Sequence, residues 1–413
     1  MSNSLIVPSR RQFLMTSGVL FAWASMPRLA LAEGRDPRLL VIVLRGALDG
    51  LATVAPVGDP DWVKLRGNEA FGLSGPNPAL PLDSFFAINP AMPNFHRLFH
   101  AKQAMVVHAA ATGYRDRSHF DGQDVLEGGL SKPGTADDGW LNRALGALEP
   151  ASGSRSKGEG FGVGPVTPLI VRGKAPVIAW TPPRLPSAGD DTLLRLLDLY
   201  QHTDPLLARA LEARIAINEI AGTAQDKGGM GGMGGGGMAP RTYFSEATSA
   251  AAKFLARPDG PRLGAMAFDG WDTHAREGVV VGRLAGLLKA LDDSIGAAEK
   301  GMGDSWRETV VAVVTEFGRT AHFNGTDGTD HGTGTVILLA GGALKGGRVV
   351  ADWPGLSPER LYDGRDLKPT TDTRAVFKGI LKDHLRLGDN ILAGNVFPGT
   401  GNLRPVPDLL VTS

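Results

Sequence analysis

Five short segments of this 413-residue sequence gather the side chains that hold divalent ions and attack esters. They are Arg45 to Gly50, which carries Asp49; Tyr114 to Phe120, with Arg117, Ser118 and His119; Asp269 to His274, with Asp272; Thr315 to Arg319, with Glu316; and Thr329 to Gly334, around His331. Carboxylates and imidazoles together are the donor set of hard or borderline ions. Asp49, Asp272, His274, Glu316 and His331 therefore predict a site for one or two divalent ions, whether zinc, manganese, magnesium or calcium. A hydroxyl such as Ser118 is a weak nucleophile at neutral pH, and a nearby ion lowers its pKa or that of a water; His119 is the alternative catalytic group. The guanidinium forks of Arg45, Arg117 and Arg319 suit the oxygens of a phosphate or sulfate group. Singly, each residue has a plainer reading. Asp49 before a glycine suits a turn, Asp272 a helix cap, Glu316 a salt bridge, His331 packing and Ser118 an ordinary loop. The joint occurrence is what points to chemistry.

Such segments can meet only if regular elements carry them to one edge. Most of them abut an apolar run: Leu39–Leu44, Ala104–His108, Leu263–Phe268, Val310–Val314 and Val336–Ala340, with a sixth run at Val177–Trp180. Continuous apolar runs of this length read as strands buried on both faces. Helical patterns lie between them, the clearest over Asp191–Ile220, Phe244–Ala256, Gly282–Lys300 and Thr373–Leu387. The alternation predicts an α/β fold, a mostly parallel sheet flanked by helices on both faces, with ligands bound beyond the carboxyl ends of the strands. Residues 145–260 read as a less regular elaboration, and the Gly/Met-rich stretch 228–238 as a flexible loop. His96, His100, His108, His202 and His384 fall in predicted helices or a strand and read as structural; His322 is open to either reading.

Composition narrows the function. Lys+Arg and Asp+Glu both number 43, a balance that speaks against a dedicated nucleic-acid binder. Cysteine is absent, which excludes disulfides, thiolate metal sites and a cysteine nucleophile. No apolar run is long enough for an ordinary membrane span. The N-terminus reads as an address. Ser9-Arg10-Arg11-Gln12-Phe13-Leu14 leads into an apolar stretch and then Ala30-Leu31-Ala32, a small-x-small cleavage pattern. The paired arginines predict a twin-arginine export signal over residues 1–32, cleaved after Ala32, with the export machinery as the precursor's partner. Residues 33–413 would then be a single domain, periplasmic or secreted and without a membrane span.

In their order these features resemble the bacterial family called domain of unknown function 1501. The shared elements are the early strand ending Arg45 to Gly50, the R-S-H-F of Arg117 to Phe120, the W-D-T-H of Trp271 to His274, the T-E-F-G-R-T of Thr315 to Thr320, and Asp330 to Gly334. The resemblance implies an alkaline phosphatase-like core, akin to sulfatases and cofactor-independent phosphoglycerate mutases, with a two-metal site at its strand ends. It implies that Asp49 binds one metal, that Ser118 sits where the nucleophile falls, that Asp272 and His274 lie near an aspartate–histidine ligand pair, and that His331 is the last histidine ligand. Two departures stand out. The usual D-x-x-x-H has Gly270 in place of its aspartate, and Glu316-Phe317 stands where an adjacent Asp-His is expected. Either the second metal site is richer in oxygen ligands, or one metal binds, or catalysis has been lost. The expected function is an exported metal-dependent hydrolase of small anionic phosphate or sulfate esters; the alternative is an exported binding protein without catalysis.

Overall fold

Leu39 to Leu44 is apolar at every position because the strand it forms is covered on both faces. Leu40, Ile42 and Leu44 enter one hydrophobic core, and Leu39, Val41 and Val43 enter another on the opposite side. The structure is a computed structural model that describes residues 35–134, 136–148, 160–164, 166–181, 209 and 240–411. The export segment 1–32, the helix expected over Asp191–Ile220, the Gly/Met-rich stretch 228–238 and His202 lie outside the described residues. Pro37–Ser413 form one unit.

The chain begins with β1 (Arg38–Arg45), the single-turn helix α1 (Gly50–Thr53), β2 (Val54–Ala55) and α2 (Trp62–Arg66). Next come β3 (Leu80–Pro81), β4 (Ala87–Ile88), α3 (Pro93–His100), β5 (Ala104–Ala111), α4 (His119–Gly128) and α5 (Trp140–Leu148). Strands β6 (Gly160–Val163) and β7 (Val177–Trp180) precede helix α6 (Pro240–Ala256), then β8 (Leu263–Asp269), α7 (Arg283–Met302), β9 (Thr309–Thr315) and β10 (Thr335–Ala340). The last are β11 (Arg348–Val350), β12 (Thr371–Asp372) and α8 (Thr373–Leu385). One sheet has the order β11-β5-β10-β9-β1-β8-β6-β7, with β12 also on β5; β2, β4 and β3 form a separate small sheet. Helices α6 and α7 pack on one face of the large sheet through residues such as Phe244, Leu255, Leu288 and Ile295. Helices α5 and α8 cover the other through Trp140, Leu141, Phe377 and Ile380.

The mostly parallel sheet with helices on both faces matches the expectation, with one reversal. Strand β10 runs antiparallel to both of its neighbours, β9 and β5. The reversal brings the segment before β10 to the edge where the other strands end, so His331 meets residues that follow β5, β8 and β9. Strand β6, with two glycines in Gly160-Phe161-Gly162-Val163, carried too weak a strand pattern to be read from sequence. Among the described residues no helix is long and apolar enough to cross a membrane.

Candidate metal centre

Each site residue sits where a core strand gives out. Strand β5 leads into Ser118, the N-cap of α4, and His119 at that helix's first position. Asp272 and His274 follow β8, Glu316 follows β9, and His331 precedes the reversed β10. Gly46 permits one of the close approaches among these loops. Its φ is +119°, and a Cβ there would stand 2.5 Å from the backbone nitrogen of Asp272, so any side chain would both strain the backbone and push the β8 loop away. Its N–H instead donates to Glu316 Oε1 at 2.8 Å.

Among the described residues, one group of three or more His, Asp or Glu side chains brings its ligand atoms within 4.8 Å of one another: His119, Asp272 and His331. His274 adjoins it, with Nε2 3.0 Å from Asp272 Oδ1 and 2.9 Å from His331 Nε2. Hydrogen bonds on the far side of each ring set its tautomer. His119 Nδ1 faces Glu316 Oε1 at 2.8 Å, His274 Nδ1 faces Asp330 Oδ1 at 3.1 Å, and His331 Nδ1 faces the Arg117 carbonyl at 2.9 Å. These partners accept, so each Nδ1 donates, and a ring in its neutral form turns a bare Nε2 lone pair inward. With the rings neutral, the three inward nitrogens and the Asp272 carboxylate form a cluster of acceptors. His119 Nε2 is buried without a hydrogen-bond partner and lies 3.6 Å from Asp272 Oδ2, beyond hydrogen-bond range. Imidazoles anchored from behind by a carboxylate or carbonyl, with lone pairs converging on a carboxylate, are what a divalent cation requires.

The electrostatics agree. Burial pushes the Asp272 carboxyl up, but the Arg319 guanidinium, at 2.8 Å, more than offsets this and holds it below its ordinary value. Burial raises Glu316 as well; the hydrogen bonds from His119, Gly46 and Thr315 outweigh it, and the buried carboxylate stays ionised. His331 is lowered, first by burial and then by the charge of His119. His119 is raised, chiefly by its hydrogen bond to Glu316.

The structure thus brings together Asp272, His274 and His331 of the expected ligands and adds His119, expected as a catalytic group. Glu316 stands behind His119 and orients it. Asp49 is not brought to the cluster. Both its oxygens meet Arg66, at 2.7 and 3.0 Å, and Oδ1 also caps α1 through the Ala52 N–H, in a pair whose side chains are each only 1% exposed. Both oxygens of this carboxylate are thus engaged by Arg66 and by the α1 backbone. The three arginines are all engaged. Arg45 pairs with Glu127, Arg117 with Asp366 and Asp363, and Arg319 with Asp272. Ser118 is half-buried and makes no side-chain cap bond to α4; its N–H donates to Tyr114 Oη at 3.2 Å. Phe120, next to His119 in the chain, is 88% exposed. Sequence reasoning missed Asp330, Arg66 and the buried Glu277, which accepts from Thr329 Oγ1 behind Arg319 and is pushed up to about 8 by burial and by Asp49. The D-H pair at Asp330-His331 was the available signal for Asp330.

Comparison with known proteins places the chain in a family. The family profile described as "Protein of unknown function (DUF1501)" matches residues 36–396, and the chain belongs to that family. No curated protein sequence matches it. Among solved structures, a complex of Ps i-CgsB with k-i-k-neocarrahexaose is 10% identical, with a TM-score of 0.39 over 76% of this chain and 68% of that one. A sulfatase from Pseudoalteromonas sp. is 13% identical (TM-score 0.33; 83% and 68% covered). A phosphonate monoester hydrolase of Agrobacterium radiobacter is 14% identical (TM-score 0.33; 87% and 78% covered).

Proposed function

We propose that this member of the DUF1501 family is an exported, metal-dependent hydrolase of phosphate or sulfate esters. One observation carries the reading: three imidazoles, each fixed by an acceptor at Nδ1, turn their Nε2 atoms toward one carboxylate. His119, Asp272, His274 and His331 are the residues that would hold a divalent ion. Such an ion supplies Lewis acidity, stabilising charge on the ester's phosphoryl or sulfuryl oxygens. Ser118 is the nucleophile in this reading. Its hydroxyl sits at the start of a 10-residue helix, whose N-terminal partial positive charge favours an ionised oxygen. The Ser118 oxygen bonds to phosphorus or sulfur as the ester's alcohol departs with a proton, and water then releases the acid and restores the hydroxyl. Arg45 and Arg117 would orient the anion; both are already paired with carboxylates. That pairing favours one second reading, a binding protein that keeps the ion without turnover.

The test is a panel of phosphate and sulfate monoesters and diesters against the metal-loaded mature protein. Turnover is expected with at least one class, and Ser118→Ala should abolish it with metal content and circular dichroism unchanged. A fully loaded protein inert across the panel would favour the binding protein.

The raised His119 gives a second expectation. Its proton on Nε2 competes with metal, so loading improves as pH rises through a value above the ordinary 6.5. In the metal-free protein the sign runs the other way for stability. A histidine whose folded pKa is raised contributes fully below its unfolded pKa, and that contribution fades as pH rises through the folded value. Glu316→Gln should bring the His119 midpoint down toward 6.5 in an NMR titration; an unmoved midpoint would remove Glu316 as the cause.

Export belongs to the same proposal. Arg10→Lys with Arg11→Lys should retain precursor in the cytoplasm, whereas the unaltered protein should be recovered outside it with Glu33 as its first residue. Normal secretion of the double variant would refute the twin-arginine route.

A further inference from the structure

A second pair of histidines lies on a different element. Helix α3 sets His96 and His100 four residues apart on one face, with ring centroids 4.4 Å apart and planes at 76°. Their Nε2 atoms are 2.9 Å from each other, and both face the carbonyl oxygen of Pro81 on β3, at 3.0 and 3.3 Å. No distribution of protons suits these three atoms. If both rings carry a proton on Nε2, two N–H groups meet at 2.9 Å. If one does, it serves either the carbonyl or the other nitrogen, and a lone pair is left against a lone pair. A cation satisfies all three at once.

We propose that His96, His100 and the Pro81 carbonyl form a separate site for a borderline divalent transition ion, best suited to Cu(II) or Ni(II). Two nitrogens about 2.0–2.1 Å from an ion and 90° apart are about 2.9 Å from each other, the spacing of adjacent corners in square-planar or tetragonal coordination. Imidazole suits both ions, and Cu(II) binds most tightly in the usual divalent order. The neighbouring cation does not interfere, because Arg97 is paired with Glu299. An ion here would bridge α3 to the small sheet.

The test keeps the two centres apart. Mature protein carrying Asp272→Asn, to weaken the strand-end cluster, is titrated with Cu(II) and followed by electron paramagnetic resonance and by competition with a chelator. One Cu(II) with two equatorial nitrogen couplings is expected. Adding His100→Gln should weaken it at least ~10-fold and remove one nitrogen coupling, since even an outer partner of a metal site costs about 10–100-fold. His96→Gln should do the same, and circular dichroism checks that each variant is folded. Ni(II) should raise the melting temperature of the Asp272→Asn protein and leave the Asp272→Asn/His100→Gln protein unchanged. Copper coupling that is indifferent to both histidine substitutions, or no binding at stoichiometric Cu(II), would overturn the proposal.

Discussion

Asp49→Ala is expected to destabilise the protein by about 3–5 kcal/mol, because it strands the buried Arg66 guanidinium without a counter-charge. The loss should appear as a lower urea midpoint, while metal uptake at neutral pH stays as it was. A compensating change sharpens the result. Replacing a buried ion pair by apolar side chains is often close to neutral, so Asp49→Leu with Arg66→Met should recover much of the stability that Asp49→Ala removes. If instead Asp49→Ala abolished metal uptake in a protein of unaltered stability, the carboxylate would be a ligand after all and the Arg66 pair incidental.

Asp272→Asn is expected to weaken metal binding more than about 100-fold, since an outer partner alone is worth about 10–100-fold. Asparagine keeps the shape and an oxygen for Arg319, whose side chain is fully buried, so the fold is spared the larger cost of an orphaned arginine. Glu316→Gln touches no ion directly and should fall within the 10–100-fold range, through the ring of His119. The two can be ranked by elemental analysis after dialysis against a graded chelator. Equal effects would place Glu316 among the ligands, as the sequence alone suggested.

The large elements were legible because their chemistry is local. Six apolar runs became β1, β5, β7, β8, β9 and β10, and the patterns at Gly282–Lys300 and Thr373–Leu387 became α7 and α8 to within a few residues. The direction of β10 was not legible, because a strand buried on both faces looks the same read either way. The site was half legible for a related reason. Residue type marked Asp49, Asp272, His274, Glu316 and His331 alike as ligands, but a carboxylate becomes a ligand or a support according to which partner reaches it first. Asp49 meets Arg66, and Glu316 meets His119, each through contacts between distant parts of the chain that no local pattern encodes.

The centre draws its three closest members from positions 119, 272 and 331, at the ends of β5 and β8 and the start of β10. An unfolded chain has no means of holding those side chains together, so an ion bound there belongs to the native state alone. Mass action then turns free ion concentration into folding free energy: about 2.7 kcal/mol at a hundred times the dissociation constant, and about 4.1 at a thousand. The melting temperature of this protein would accordingly report the ion content of its surroundings, and a compartment poor in the metal would hold a measurably looser molecule than one rich in it.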